Sequence, residues 1–198
     1  MRRLGNRKVG GHVVAVAYDG KNTESDYLSH WQILLGRGRF VLVPYFVSSG
    51  GNPLAAVKTA HRLAKKDGDI DELWCVCDID ETGDATVAAA TAYAQANGIR
   101  LCLSNRSFEI WISLHFERSD APIVNEAEAV SLVERFFPNY GKNGKIADFA
   151  ELLPRTDTAI ANGHWLREQG LKNPATDVHE LAERLQQLLR RQRPLARR

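Results

Sequence analysis

The sequence predicts an α/β fold, a mainly parallel four-stranded sheet flanked by helices, and three observations predict it. Apolar runs of strand length recur at 12–18, 40–47, 73–77 and 99–103. Segments with helical spacing, 25–35, 54–66 and 85–96, lie between them, so strand and helix alternate as they do in right-handed crossovers. Past Pro122 the strand signals stop and helical ones follow at 125–137, 145–153, 157–169 and 176–191, which adds a helical C-terminal extension. The expected divisions are a basic lead (1–11), an α/β core (12–120) and a helical part packed on it (121–198). With 198 residues, 44% of them hydrophobic, and a net charge of +2, the chain suits one soluble domain with a real core.

Val13 to Tyr18 is a continuous apolar run, as in a strand covered on both faces. It ends at Asp19-Gly20, where glycine permits a tight turn or a close approach. Pro44 marks the second run as an edge or the end of its strand, because proline cannot donate to a ladder. Ser48 to Pro53 is a turn, and the helix after it carries a solvated face of Lys58, Arg62, Lys65 and Lys66. Asn97-Gly98 caps the alanine-rich helix. The segment 104–117 fits both periods: Phe108, Ile110 and Ile112 alternate, while Trp111 and Leu114 allow a helix. Pro138-Asn139-Tyr140-Gly141 and Lys172-Asn173-Pro174 read as connecting turns, and Asp177 with Glu180 suits the start of the last helix.

Cys75, Cys77 and Cys102 read as small buried hydrophobes in a reducing compartment, and the first two, alternating on one strand, cannot bridge each other. The run Val13 to Tyr18 is far short of the ~18 apolar residues of a membrane span, and no secretory signal is legible, so a cytoplasmic location is expected. Arg2, Arg3, Arg7 and Lys8 open the chain; Arg190, Arg191, Arg193, Arg197 and Arg198 close it. Such ends either favour a polyanion such as nucleic acid or act as solubilising tails. The histidines show no metal-ligand spacing, and His115, in an aromatic segment, reads as packed.

Chemistry concentrates at Leu73 to Thr82, where the apolar run enters Asp78-Ile79-Asp80-Glu81-Thr82. Strand residues i and i+2 face one side, so Asp78 and Asp80 share the carboxyl end, where parallel sheets place ligands. Like charges this close push each other toward protonation unless a cation sits between them, and oxygen donors suit Mg²⁺ or Mn²⁺. Asp19 and Glu24 follow the first strand and join this pair if the two strands are neighbours. The alternative is a solvated turn with a helix N-cap at Thr82 or Asp84.

Asp19-Gly20-Lys21-Asn22-Thr23-Glu24-Ser25-Asp26-Tyr27 resembles the Glu-Gly-x-x-Thr-Glu-x-x-Tyr opening of RloB-like proteins, relatives of topoisomerases, primases and overcoming-lysogenization-defect nucleases in the Toprim superfamily. Leu73 to Asp80 is similar to that family's Asp-x-Asp strand. Ser104 to Phe116 resembles its Ser-Asn-Pro-x-Phe-Glu-x-Trp-x-x-x-His-Phe segment, and Asn173 to Val178 its Asn-Pro-x-Thr-x-Val motif. The resemblance implies a Toprim-like fold and a Mg²⁺- or Mn²⁺-dependent nuclease of phage defence. It makes Asp78 and Asp80 the metal-binding pair, Asp19 a ligand or general base with Glu24 as companion, and Glu109 a further acidic group. Ser104 and Asn105 would position phosphate. Asp19 replaces the usual glutamate and is one methylene shorter; Arg106 replaces a proline and either adds a phosphate contact or changes the turn.

The implied mechanism is phosphodiester hydrolysis: Asp19, Glu24, Asp78, Asp80 and Glu109 hold the ion, an activated water attacks, and Lys142 or Lys145 meets the extra charge. Lys21 and Arg106 are further candidate contacts to DNA or RNA. Two other readings stand beside it. Asp78 to Thr82 also resembles the Asp-x-Asp-x-Thr motif of haloacid-dehalogenase-type phosphatases, with Asp78 as nucleophile and Asp80 as acid/base, although about seventy residues precede it here. The third is a catalytically inactive subunit whose helical part docks an ATPase or sensor of a defence system.

Overall fold

The computed structural model describes residues 11–36, 39–79, 82–142, 144 and 147–192. Strands β1 (His12–Tyr18), β2 (Phe40–Phe46), β3 (Glu72–Asp78) and β4 (Ile99–Asn105) run parallel, joined by helices α1 (Thr23–Leu35), α2 (Pro53–Asp67) and α3 (Asp84–Ala96). The rest of the chain forms α4 (Glu109–Ser113), α5 (Glu126–Glu134), α6 (Phe149–Leu152), a 3₁₀ turn at Leu153–Arg155, α7 (Thr156–Glu168), β5 (Ala175–Thr176) and α8 (Val178–Gln192). No helix among the described residues is long and apolar enough to cross a membrane.

The expected four-stranded sheet has a fifth strand among the described residues, in the order β2-β1-β3-β4-β5. β5 lies antiparallel to β4, Ser104 opposite Thr176 and Asn105 opposite Ala175. Two residues are too few to show a period, so Thr176 reads from sequence as the start of the last helix. Its hydroxyl instead meets that of Ser104 at 3.0 Å, and Asp177 closes the junction through Leu103 on both backbone and side chain. At the other edge lies β2, as Pro44 suggests. There Gln192 accepts from the Phe40 N–H at 2.9 Å and Gln32 donates to the Leu42 carbonyl at 3.1 Å, so side chains cover backbone groups that would otherwise template another strand.

Alternation along the central strands sorts their side chains by size. Val14, Val16, Tyr18, Trp74 and Val76 belong to a core shared with α1 and α4 to α8. Ala15, Ala17, Cys75 and Cys77 belong to a second core, where small groups let Ala56, Val57 and Ala60 of α2 and Ala90 and Ala94 of α3 come close. All three cysteines are buried and free. The ambiguous segment resolves into the end of β4 and the short helix α4. Phe108, Ile110, Trp111, Ile112 and Leu114 are all buried, and burial on every side erases the one-faced pattern that periodicity needs.

At the amino-terminal end of the sheet Glu72 ties three elements together. It accepts from His12 Nε2 at 2.6 Å and from Arg184 Nη2 on α8 at 2.5 Å. Burial alone would raise its carboxyl, but these hydrogen bonds, with the Arg184 charge, hold it down to about 2. His115 is packed as expected: its Nδ1 lies 3.0 Å from the Trp111 carbonyl, and burial lowers its pKa to about 4.

Candidate functional site

The chain crosses from β1 to β2 on one side and from β2 back past β1 to β3 on the other, so the order of the sheet reverses between β1 and β3. A crevice outside the carboxyl ends of the strands at such a reversal is where open α/β sheets bind ligands. The register pairs Tyr18 with Val76 and Asp78 with Ser104, which brings the segments following β1, β3 and β4 side by side. The neighbourhood required for the acidic groups to converge is therefore present.

Glu24 sits in the first turn of α1, buried, with its carboxylate against the backbone of Gly20. A Cβ at Gly20 would lie 1.8 Å from Glu24 Oε2, so the closeness depends on glycine. Glu109, at the start of α4, is also buried. Its Oε1 accepts a 3.0 Å hydrogen bond from Tyr140 Oη, which lies 2.6 Å from Thr23 Oγ1. Because the phenol proton goes to Glu109, the Thr23 hydroxyl donates to the phenol. Burial first, then the charge of Glu109, keeps the Tyr140 phenol well above its ordinary pKa, so it remains a donor. Tyr140 thus links α1 to α4 beside both glutamates.

Asp78 closes β3 half-buried, and strand alternation puts it with Trp74 and Val76 on the face that carries α1 and α4. Asp19 turns the other way. Its Oδ1 accepts from the Ser49 N–H at 2.9 Å; its Oδ2 accepts from Ser49 Oγ at 2.5 Å and from the Gly51 N–H at 3.1 Å. Gly51 has φ +76°, a backbone state that favours glycine. Thr82 donates to the Gly51 carbonyl at 3.0 Å, so the loops after β1, β2 and β3 are tied through this turn. The Cys77 thiol is pushed up by its hydrogen bond with Cys75 and by burial, and further by the negative charges of Asp19 and Glu24.

The structure therefore gathers Glu24 and Glu109 around Tyr140, sets Asp78 on the same face, and directs Asp19 into the β2–α2 turn. Asp80 and Lys145 lie outside the described residues. Two of the expected phosphate contacts have partners within the fold. Ser104 is fully buried at the β4–β5 junction, and Asn105 Nδ2 donates to the Lys172 carbonyl at 2.7 Å, so both serve the sheet edge. Lys21 and Lys142 are exposed and Arg106 is half-buried. Sequence reasoning missed Tyr140, Thr23 as its partner, and Ser49. Tyr140 stands 117 residues from Thr23 and 31 from Glu109, inside a segment that reads only as a turn.

The acidic donors are all carboxylate oxygens, the set that hard divalent cations take. Among the described residues no group of three or more His, Cys, Asp or Glu forms a metal-holding cluster. No curated protein and no solved structure matches the chain. A family model described as RloB-like protein does match, over residues 14–185, from within β1 through β5 and into α8. The chain belongs to the RloB-like protein family.

Proposed function

We propose that the protein is a metal-dependent phosphodiesterase acting on nucleic acid, in phage defence, with its centre at the carboxyl edge of β1, β3 and β4. The observation that carries this reading is the placement of Asp78 on the face of Glu24 and Glu109 at the point where the strand order reverses. Glu24, Asp78 and Glu109 do not by themselves form a metal-holding cluster; on this reading they would hold Mg²⁺ or Mn²⁺ together with Asp80. The ion would supply charge neutralisation at the phosphodiester and activation of the attacking water. The chain's own contributions are orientation and protonation: Tyr140 holds Glu109 as a proton donor, and Gly20 lets Glu24 reach the crevice. Lys21, Arg106 and Lys142 are the candidate contacts to the phosphate backbone. Membership of the RloB-like family favours this reading over the dehalogenase-type phosphatase.

The test is cleavage of single-stranded DNA, duplex DNA and tRNA with Mg²⁺ or Mn²⁺, by the wild type and by Asp78→Asn and Glu109→Gln. Loss of at least a hundredfold in both variants is expected; unchanged cleavage rules the site out. A second reading, an inactive subunit partnered with a defence ATPase, is favoured by one observation: both oxygens of Asp19 are engaged by Ser49 and Gly51. On that reading calorimetry finds no Mn²⁺ binding that Asp78→Asn weakens.

A further inference from the structure

Tyr140 also lines a cavity of about 430 Å³, within the size range of small-ligand sites, together with Asp26, His30, Phe137, Asp148 and Phe149. Its wall is aromatic and built. The His30 ring lies flat on Phe149, centroids 4.8 Å apart and planes 11° from parallel. His30 Nδ1 is held 2.9 Å from the Asp26 carbonyl, and 41% of the side chain is exposed. Phe149 and Tyr140 are both buried. Asp26 Oδ1 stands 3.6 Å from the imidazole, at the edge of this platform. Asp148 Oδ1 is engaged by the Ala150 N–H at 2.8 Å, whereas Asp26 stands beside the imidazole itself and is the carboxylate adjoining the platform.

Aromatic faces beside carboxylates, with no lysine or arginine among the described lining residues, disfavour a phosphate and favour a flat ring that donates hydrogen bonds. Nucleobases stack on such platforms. They differ at the edge a carboxylate would meet. Guanine offers two adjacent donors, N1–H and N2–H, that match the two oxygens of one carboxylate. Adenine and cytosine set an acceptor beside their amino group, and uracil flanks its single N–H with two carbonyls, so each presents an oxygen or nitrogen lone pair to the negative charge. We propose that this cavity receives a guanine base, stacked against His30 and paired through its Watson–Crick edge with Asp26. The inference rests on the phosphodiesterase reading, because Tyr140 is common to the cavity and to the Glu109 cluster. A base seated here lies next to the carboxylates that would act on its strand.

The test uses the whole chain and calorimetry with the 5′-monophosphates of guanosine, inosine, adenosine, cytidine and uridine, and with oligothymidylates carrying one guanine or none. Guanine ligands should bind about tenfold or more tighter than the others, inosine in between for want of the N2 amino group, and Asp26→Asn should abolish the preference. The unmodified ligand series needs no variant, so a fold defect cannot mask the answer. Preference among free nucleotides alone identifies a nucleotide ligand; preference shown only by the oligonucleotide identifies a strand. Equal or absent binding across the bases, or a preference that survives Asp26→Asn, overturns the proposal. Metal-dependent cleavage without base preference sinks this cavity alone, whereas guanine binding without any cleavage sinks the phosphodiesterase reading alone.

Discussion

Gly20→Ala should separate activity from stability. The added methyl would lie 1.8 Å from Glu24 Oε2 and about as close to the rest of the carboxylate, whereas real Cβ contacts under 3.0 Å are essentially never seen. The obstructing atoms are the end of a flexible side chain, so the carboxylate retreats by about 1.2 Å and the backbone stays. A misplacement of about 1 Å in a catalytic constellation costs about a hundredfold in rate. Gly20 is not among the positive-φ glycines, so alanine fits its backbone, and the lower entropy of the unfolded chain returns about 0.4–1 kcal/mol. Cleavage should therefore fall about a hundredfold, to the level of Glu24→Gln, while urea unfolding followed by tryptophan fluorescence moves by less than ~1 kcal/mol. Cleavage within threefold of wild type, with Glu24→Gln inactive, would refute the reasoning, since Glu24 would then work from a position that Gly20 does not control.

Tyr140→Phe keeps the buried ring but removes the donor to Glu109 and the acceptor of Thr23, for a loss of about 2–4 kcal/mol that a denaturant titration will read. A loss below ~0.5 kcal/mol would mean that the phenol does not hold Glu109. The Glu72 cluster predicts an acid-dependent contribution. Its carboxyl is depressed from 4.5 to about 2, so the stabilisation is complete above about 4.5 and disappears as pH falls toward 2. That fall corresponds to at most about 3 kcal/mol, and solvent screening of the partly exposed Arg184 reduces the expected cost of Glu72→Gln to about 1–2 kcal/mol at pH 7. The gap between wild type and variant should narrow between pH 5 and 3; a constant gap contradicts the ion-pair account. His115 and His179, both lowered to about 4, lose stability in the wild type and the variant alike as pH drops below 6.5, and so cancel in the difference.

Sequence by itself determined the alternation of strands and helices, the restriction of Pro44 to an edge or a strand end, the burial of the three cysteines, and the family-like order of its acidic motifs. These are local properties: a period, a proline without an N–H, a carboxylate beside a turn. Tertiary structure alone decided where the carboxylates meet and which of them meet. Asp19 and Glu24 stand five residues apart yet serve different faces, because strand parity turns Asp19 to Ser49 while the start of α1 turns Glu24 back over Gly20. Tyr140 joins Thr23 to Glu109 only because the segment after α5 returns across α1 and α4, a contact between residues that no local pattern relates. The two-residue β5 was equally beyond reach, since pairing with β4, and not any preference of Ala175 or Thr176, makes it a strand.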